Sequence, residues 1–339
     1  MRNNTTLSNV THTYRGCNID YETLINTVLL YANIVTSIFS FVGNLLVILT
    51  VYTNKNLRTS INYFIVSMSV SDILFPLFAL LDSLLLIWSV SQRSKLVGNL
   101  LCKLLPFINL VSCGVSILTL VAITVFRFFA VMFPMRARVQ NKKKRLFVLL
   151  LTWVIPMATY SPYLIYYEFN KQLYFCFWNL NFETQIGVWF IAQVSLFLFF
   201  PPLIMLVLYP LIIIKLKQRR VIGNVISRQA VVRRKRQNAR LTMMFLVITV
   251  AFLLCWGPYT IVIVLYLFEH KRDSCNLIYF YNVARITPVV FHAINPVIYF
   301  IFLSSFRQGF KNIFRSSCCS RTRPQAFAEN FELNNIPQA

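Results

Sequence analysis

The sequence predicts an all-α membrane protein, a seven-transmembrane helix bundle with a short amphipathic eighth helix. Three observations predict it. The 339 residues are 57% hydrophobic and 13% charged, whereas soluble domains run about 45–50% and about 25%. Seven stretches are almost free of charge, and each exceeds the roughly 20 residues a helix needs to cross a bilayer. The basic residues gather in alternate connectors between those stretches. This composition excludes disorder over most of the chain, which requires low hydrophobicity. It also excludes an ordinary soluble enzyme, which has too few charges here to cover so much apolar surface.

The elements follow in chain order. Residues 1–23 form a polar tail. The first span, 24–53, has no charge, and the second, 59–81, has only Asp72. The third (104–126), fourth (146–167), fifth (184–214) and sixth (241–268) have none. The seventh, 274–306, has only Arg285. With its spans, the bundle runs over 24–304; an amphipathic helix follows at 305–316, and 317–339 is a second tail. The apolar runs are continuous, so a β-barrel, which needs short strands of alternating polarity, is rejected. Pro201, Pro258 and Pro296 each remove a backbone hydrogen bond and kink the last three spans.

Of the 33 Lys and Arg, 23 fall in the first, third and fifth connectors and after the seventh span. The positive-inside rule makes that side cytoplasmic and the N-terminus extracellular, in a multi-pass plasma-membrane protein. The net charge of +23 therefore belongs to loops beside anionic lipid, and nucleic acid is not a partner. The N-terminal segment lacks the apolar core of a cleaved signal peptide, so the first span acts as its own signal-anchor. Asn4 and Asn9 are outside and stand in glycosylation triplets. Cys102 and Cys176 face an oxidising compartment, which permits a disulfide that pins the second outer loop over the bundle mouth. Cys17 and Cys275 permit a second. Cys113 and Cys255 read as packing residues, and Cys318 and Cys319 as palmitoylation sites.

A carboxylate in the middle of a membrane is costly and points to function. Asp72 is either polar glue or a switchable ion or water site, with Asn44 and Asn295 as donors and Ser116 as a further sodium ligand. Arg127 ends the third span and reads on its own as a snorkelling cation. Arg285 is either in a buried pair with Asp82 or faces a ligand. No nucleophile–base pair or metal set appears, so the protein is not an enzyme and needs no cofactor. A transporter or channel is the remote alternative, and it lacks a continuous polar path and an internal repeat.

From residue 24 to about 315 the chain resembles the rhodopsin-like (class A) G-protein-coupled receptors. The resemblance rests on motifs in order. These are Gly43-Asn44, the stretch Ser67 to Asp72, Cys102 with Arg127 twenty-five residues later, Pro134, Trp153 with Pro162, Pro201 with Tyr209, Phe252 to Pro258 (FxxCWxP), Asn295 to Tyr299 (NPxxY), and Phe306 to Phe310. It implies that Ile117, Pro201, Phe252 and Trp256 couple a ligand pocket to the inner half. It implies that Arg127, Tyr209 and Tyr299 rearrange when the sixth helix swings out to admit a Gα subunit. Asp72, Ser116, Asn295 and Tyr299 belong to the same activation switch. Arrestin, a receptor kinase and membrane lipids are the implied further partners.

The chain departs from the family pattern in three places. Phe126 stands where an acid precedes the key arginine. Asn238 stands near the place of an acid at the inner end of the sixth helix, so Arg127 lacks both anionic partners. Phe291 and His292 stand beside the sodium site, which leaves at most a weak sodium site at Asp72 and offers His292 as a hydrogen-bond partner. Asn109 replaces the aspartate of monoamine receptors, and Val289 the lysine of opsins. The overall pattern resembles neuropeptide receptors, with Asp82, Asn109, Gln193, Trp256, Tyr259 and Arg285 lining the pocket. A lipid or small metabolite is the alternative ligand.

Overall fold

The structure, a computed structural model, describes residues 19–88, 95–133, 142–170, 175–178, 183–218, 225–268 and 275–318. Among these residues, seven helical stretches are long and apolar enough to cross a membrane. The first span is the helix Ile19–Thr53, the second Ser60–Trp88, the third Lys95–Met132 and the fourth Lys142–Tyr160, extended by a turn at Pro162–Tyr166. The fifth joins Glu183–Val194 to Phe200–Gln218 through a π turn at Ser195–Phe199. The sixth is Val225–Phe268, and the seventh is split into Cys275–Ala284 and Thr287–Phe302. The tail helix is Ser304–Cys318.

Several helices outrun the uncharged stretches. The sixth begins at Val225, four turns inside its basic connector. Lys and Arg are good helix formers, so their charge marks where the chain leaves the lipid and not where the helix stops. The outward faces are apolar, with Val35 at 67%, Val188 at 65% and Leu254 at 70% exposure. In water such faces would be an association hazard, and here they meet lipid. The third span is central and packs against the second, fourth and fifth.

The prolines leave carbonyls without donors, and side chains supply the replacements. Pro76 frees the Asp72 carbonyl, which accepts from Ser40 Oγ at 2.8 Å. Pro296 frees the His292 carbonyl, which accepts from Asn44 Nδ2 and Ser40 Oγ, both at 3.2 Å. Pro162 frees the Ala158 carbonyl for Ser161 Oγ at 2.8 Å, and Pro288 frees the Ala284 carbonyl for Thr287 Oγ1 at 2.8 Å. Thr287 also reaches the Cys255 carbonyl, one turn before Pro258. An unpaired backbone group in lipid costs several kcal/mol on the order of those measured for apolar media, so these hydroxyls and amides are what make the kinks tolerable. The seventh span breaks at Arg285–Ile286, before Pro288, while Pro258 and Pro296 lie within continuous helices.

Glycines set the closest approaches. A Cβ on Gly43 would lie 3.0 Å from Pro296 Cγ, and one on Gly114 would lie 2.7 Å from Pro156 Cβ. The first span can thus reach the seventh, and the third can reach the fourth, at backbone distance. The tail helix turns away after Leu303 and buries Phe306 and Gly309 while Arg307, Gln308, Lys311 and Asn312 stay exposed. A Cβ at Gly309 would lie 2.7 Å from Thr50 Cγ2, so this helix docks under the end of the first span.

Candidate functional site

One end of the bundle carries a hairpin. Strand β1 (Tyr167–Asn170) pairs antiparallel with β2 (Phe175–Trp178), with Phe169 opposite Cys176. Three ties hold it to the third span. Cys102 and Cys176 form the expected disulfide, with Cα atoms 5.6 Å apart. The Phe169 amide donates to Asn99 Oδ1 at 2.8 Å. The Phe169 ring lies against Gly98, where a Cβ would be 2.2 Å from it. Cys275 is disulfide-bonded as well; its expected partner Cys17 lies outside the described residues, as do Asn4, Asn9 and Cys319.

Below the hairpin is a tyrosine-rich rim that sequence reading named only at Tyr259. Tyr163 meets Tyr167 at 5.5 Å and Trp189 at 5.4 Å between ring centroids, and Tyr259 meets Tyr281 at 6.3 Å. Tyr167 lies within electrostatic reach of both Tyr281 and Asp82. Asp82 is exposed at its end of the second span. Arg285 lies near it, yet its Nη2 donates to Ser83 Oγ at 3.4 Å and no ion pair forms with Asp82. Asn109 has a buried Oδ1 without a partner. Gln193 is buried, and its Nε2 is committed to the Thr159 carbonyl at 3.2 Å. The tyrosine rim was invisible because aromatic residues at helix ends in a sequence with 16 tyrosines carry no spacing signal.

Trp256 forms the floor. Tyr259 meets its ring edge-on at 6.1 Å, Phe252 lies at 6.1 Å, and Phe75 at 5.5 Å. Phe252 meets Phe291 at 5.4 Å. Phe252, Ile117 and Pro201 are buried in the surrounding core. Phe75 also stacks on His292 at 4.3 Å, so rings run from Trp256 down to the polar centre.

That centre is Asp72, fully buried. Its Oδ1 accepts from Ser116 Oγ at 2.9 Å and contacts His292 Nδ1 at 2.7 Å, and its Oδ2 accepts from Asn295 Nδ2 at 2.8 Å. Ser71 Oγ stands 2.8 Å from Ser116 Oγ. The carboxylate ties together the second, third and seventh spans. Asn44, expected as a donor to it, instead serves the His292 and Ser40 carbonyls, because Pro296 leaves the former without a donor. No cluster of three or more His, Cys, Asp or Glu suited to a metal occurs among the described residues.

The basic end holds Arg127. Its Nη1 donates to Asn238 Oδ1 at 3.3 Å, and its Nε has no partner. Phe126 spends its side chain on Phe64, 5.4 Å between centroids. The two tyrosines are engaged elsewhere: Tyr209 with Thr124 at 2.9 Å, and Tyr299 with Met68 Sδ at 3.3 Å. Arg127, Tyr209 and Tyr299 thus make no mutual hydrogen bonds here.

Comparison with known proteins converges with this geometry. The family model described as "7 transmembrane receptor (rhodopsin family)" matches residues 43–299. The QRFP-like peptide receptor of Branchiostoma floridae is 27% identical, covering 90% of this chain and 81% of the relative. The growth hormone secretagogue receptor type 1 of Homo sapiens is 30% identical, covering 78% and 74%. The somatostatin receptor type 5 of Rattus norvegicus is 28% identical, covering 80% and 73%.

Proposed function

The chain belongs to the rhodopsin family of seven-transmembrane receptors, and we propose that it is a plasma-membrane receptor that binds an extracellular peptide and activates heterotrimeric G proteins. Residues 24–304 are the receptor domain, with the N-terminal tail and hairpin outside and the basic end in the cytoplasm. The name of the QRFP-like peptide receptor supports the ligand class. The tyrosine rim, with Asp82 and Arg285 near it, supports it too.

The single observation that carries the mechanism is the pair of ends joined by one core. A ligand at the rim presses on Trp256. Rings pass that contact to His292 and the Asp72 centre, while Trp256 itself belongs to the sixth span, whose inner end is fastened to Arg127 through Asn238. Tilting the sixth span at Pro258 breaks that bond and opens a cavity for a Gα subunit. Ligand and G protein then favour the same state, and their affinities are reciprocally coupled. Asp82 receives a cationic or amidated group and Arg285 a carboxylate, with Asn109, Gln193 and Tyr259 around them. Ile117, Pro201 and Phe252 transmit the motion, and Ser116, Asn295, Tyr209 and Tyr299 change partners.

Asn4 and Asn9 carry glycans, Cys318 and Cys319 carry palmitate beside the lipid-facing tail helix, and arrestin and a receptor kinase read the active state. The test is G-protein activation in cells expressing the chain, challenged with peptides in amidated and free-acid forms. Activation by a peptide, weakened by Asp82→Asn or Arg285→Ala according to its charge, is the expected result. A surface-expressed receptor that answers lipids or small metabolites and no peptide would replace this ligand class.

A further inference from the structure

The family pattern implies a sodium ion at Asp72, and the residues around this carboxylate do not fit one. Hard cations take several oxygen ligands, whereas imidazole suits softer transition metals. Here a ring nitrogen lies 2.7 Å from Oδ1, and two further donors, the Ser116 hydroxyl and the Asn295 amide, already point at the carboxylate. Ser116 is doubly engaged, because Ser71 Oγ also lies 2.8 Å away.

The imidazole has nowhere else to go. His292 is fully buried. The Phe75 ring stacks on its face at 4.3 Å, and the Phe291 ring meets it edge-on at 5.1 Å. The His292 carbonyl is fastened to the first span by Ser40 and Asn44. An ion entering beside Oδ1 would have to displace a ring held on two faces and at its backbone.

We propose that His292 is a built-in hydrogen-bond donor that takes the place of a metal cation at the Asp72 centre, so that this receptor core assembles without sodium. Nδ1–H donates to Oδ1 in one neutral tautomer and in the imidazolium alike, so the argument needs no particular protonation state. The same geometry says what removing the ring would do. Asn44 Oδ1 and Asn295 Oδ1 are buried oxygens without partners. With the imidazole gone, Oδ1 would lose its closest contact, and Ser116 Oγ and the Asn295 side chain would remain beside a carboxylate open on that side.

The experiment uses the full chain purified into lipid nanodiscs and follows thermal unfolding by tryptophan fluorescence. Sodium chloride is titrated against N-methylglucamine chloride at constant ionic strength, with no agonist required. The wild type is expected to melt at the same temperature in both salts. His292→Ser is expected to melt lower and then to gain a saturable, sodium-specific rise, which Asp72→Asn in the same chain abolishes. Where His292→Ser does not yield folded protein, His292→Asn takes its place. A sodium-specific rise in the wild type that Asp72→Asn removes would overturn the proposal, and so would a folded His292 variant indifferent to sodium. The readout is independent of G-protein activation, so its failure is distinguishable from failure of the receptor reading.

Discussion

Two ionisable side chains in this bundle, Asp72 and Arg127, are treated in opposite ways. The Asp72 carboxylate has three donors from two other spans and lies in a fully buried site. The Arg127 guanidinium, half-buried towards the basic end, has one neutral acceptor at 3.3 Å and a buried Nε without a partner. A buried charge is tolerable when it is paired and hydrogen-bonded and costly when it is not. The first centre therefore fastens three helices in one arrangement. The second fastens two helices weakly, through one bond between neutral and charged groups. The difference teaches where the bundle is rigid and where it is poised to move.

The comparison can be broken most forcefully at the rigid end. Asp72→Ala leaves His292, Ser116 and Asn295 aimed at nothing. Leaving a buried donor unsatisfied costs about 1–3 kcal/mol each, and three are left here. The variant should lose most surface expression and show the largest fall in melting temperature; unchanged unfolding would mean the centre carries little stability.

The poised end is sharpened by giving Arg127 an anion. Phe126→Asp or Asn238→Glu replaces a neutral neighbour with a charged acceptor, and hydrogen bonds to charged groups contribute about 1.5–3 kcal/mol. Ligand-free nucleotide exchange on G protein should fall roughly tenfold for each 1.4 kcal/mol. Phe126→Ala controls for the lost packing on Phe64 and should not lower exchange. Equal basal rates in all four proteins would show that the missing acids do not matter.

A smaller effect tests whether the rigid centre depends on helix proximity. Gly43→Val places methyl groups against Pro296, where a Cβ alone is already 3.0 Å away. Overpacking of this kind costs about 1–3 kcal/mol, and the first and seventh spans should separate enough to weaken the Asn44 bond. Amide exchange at Pro296's neighbours, read by mass spectrometry, should rise. The smallest effect is the baseline: Trp153→Phe deletes one Nε1–Ser67 bond at 2.9 Å, which touches neither Asp72 nor Arg127. It should cost about 1 kcal/mol of thermal stability and leave basal exchange as it was.

The seven spans and their order were legible in the sequence, because length without charge is a one-dimensional property. Lipid imposes it segment by segment, with no need to know which helices touch. The lack of an acid beside Arg127 was equally legible, since it concerns adjacent residues or a family position. The break in the seventh span was less so, because a proline alone does not tell a kink from a break: Pro258 and Pro296 stay within continuous helices, while before Pro288 the helix opens and Thr287 answers the Ala284 carbonyl.

Other features exist only where distant segments meet. Ser40 serves carbonyls freed by Pro76 and Pro296, at 32 and 252 residues' separation. The tyrosine rim gathers residues from the fourth span, β1, the sixth span and the seventh. His292 was named from its position, but its grip on Asp72 and its confinement between Phe75 and Phe291 are facts of packing. The sequence alone determined which segments enter the membrane, because partition into lipid acts on each segment independently. Only the tertiary structure decided which buried polar groups answer one another, because a hydrogen bond requires angstrom-scale placement that no spacing along the chain encodes.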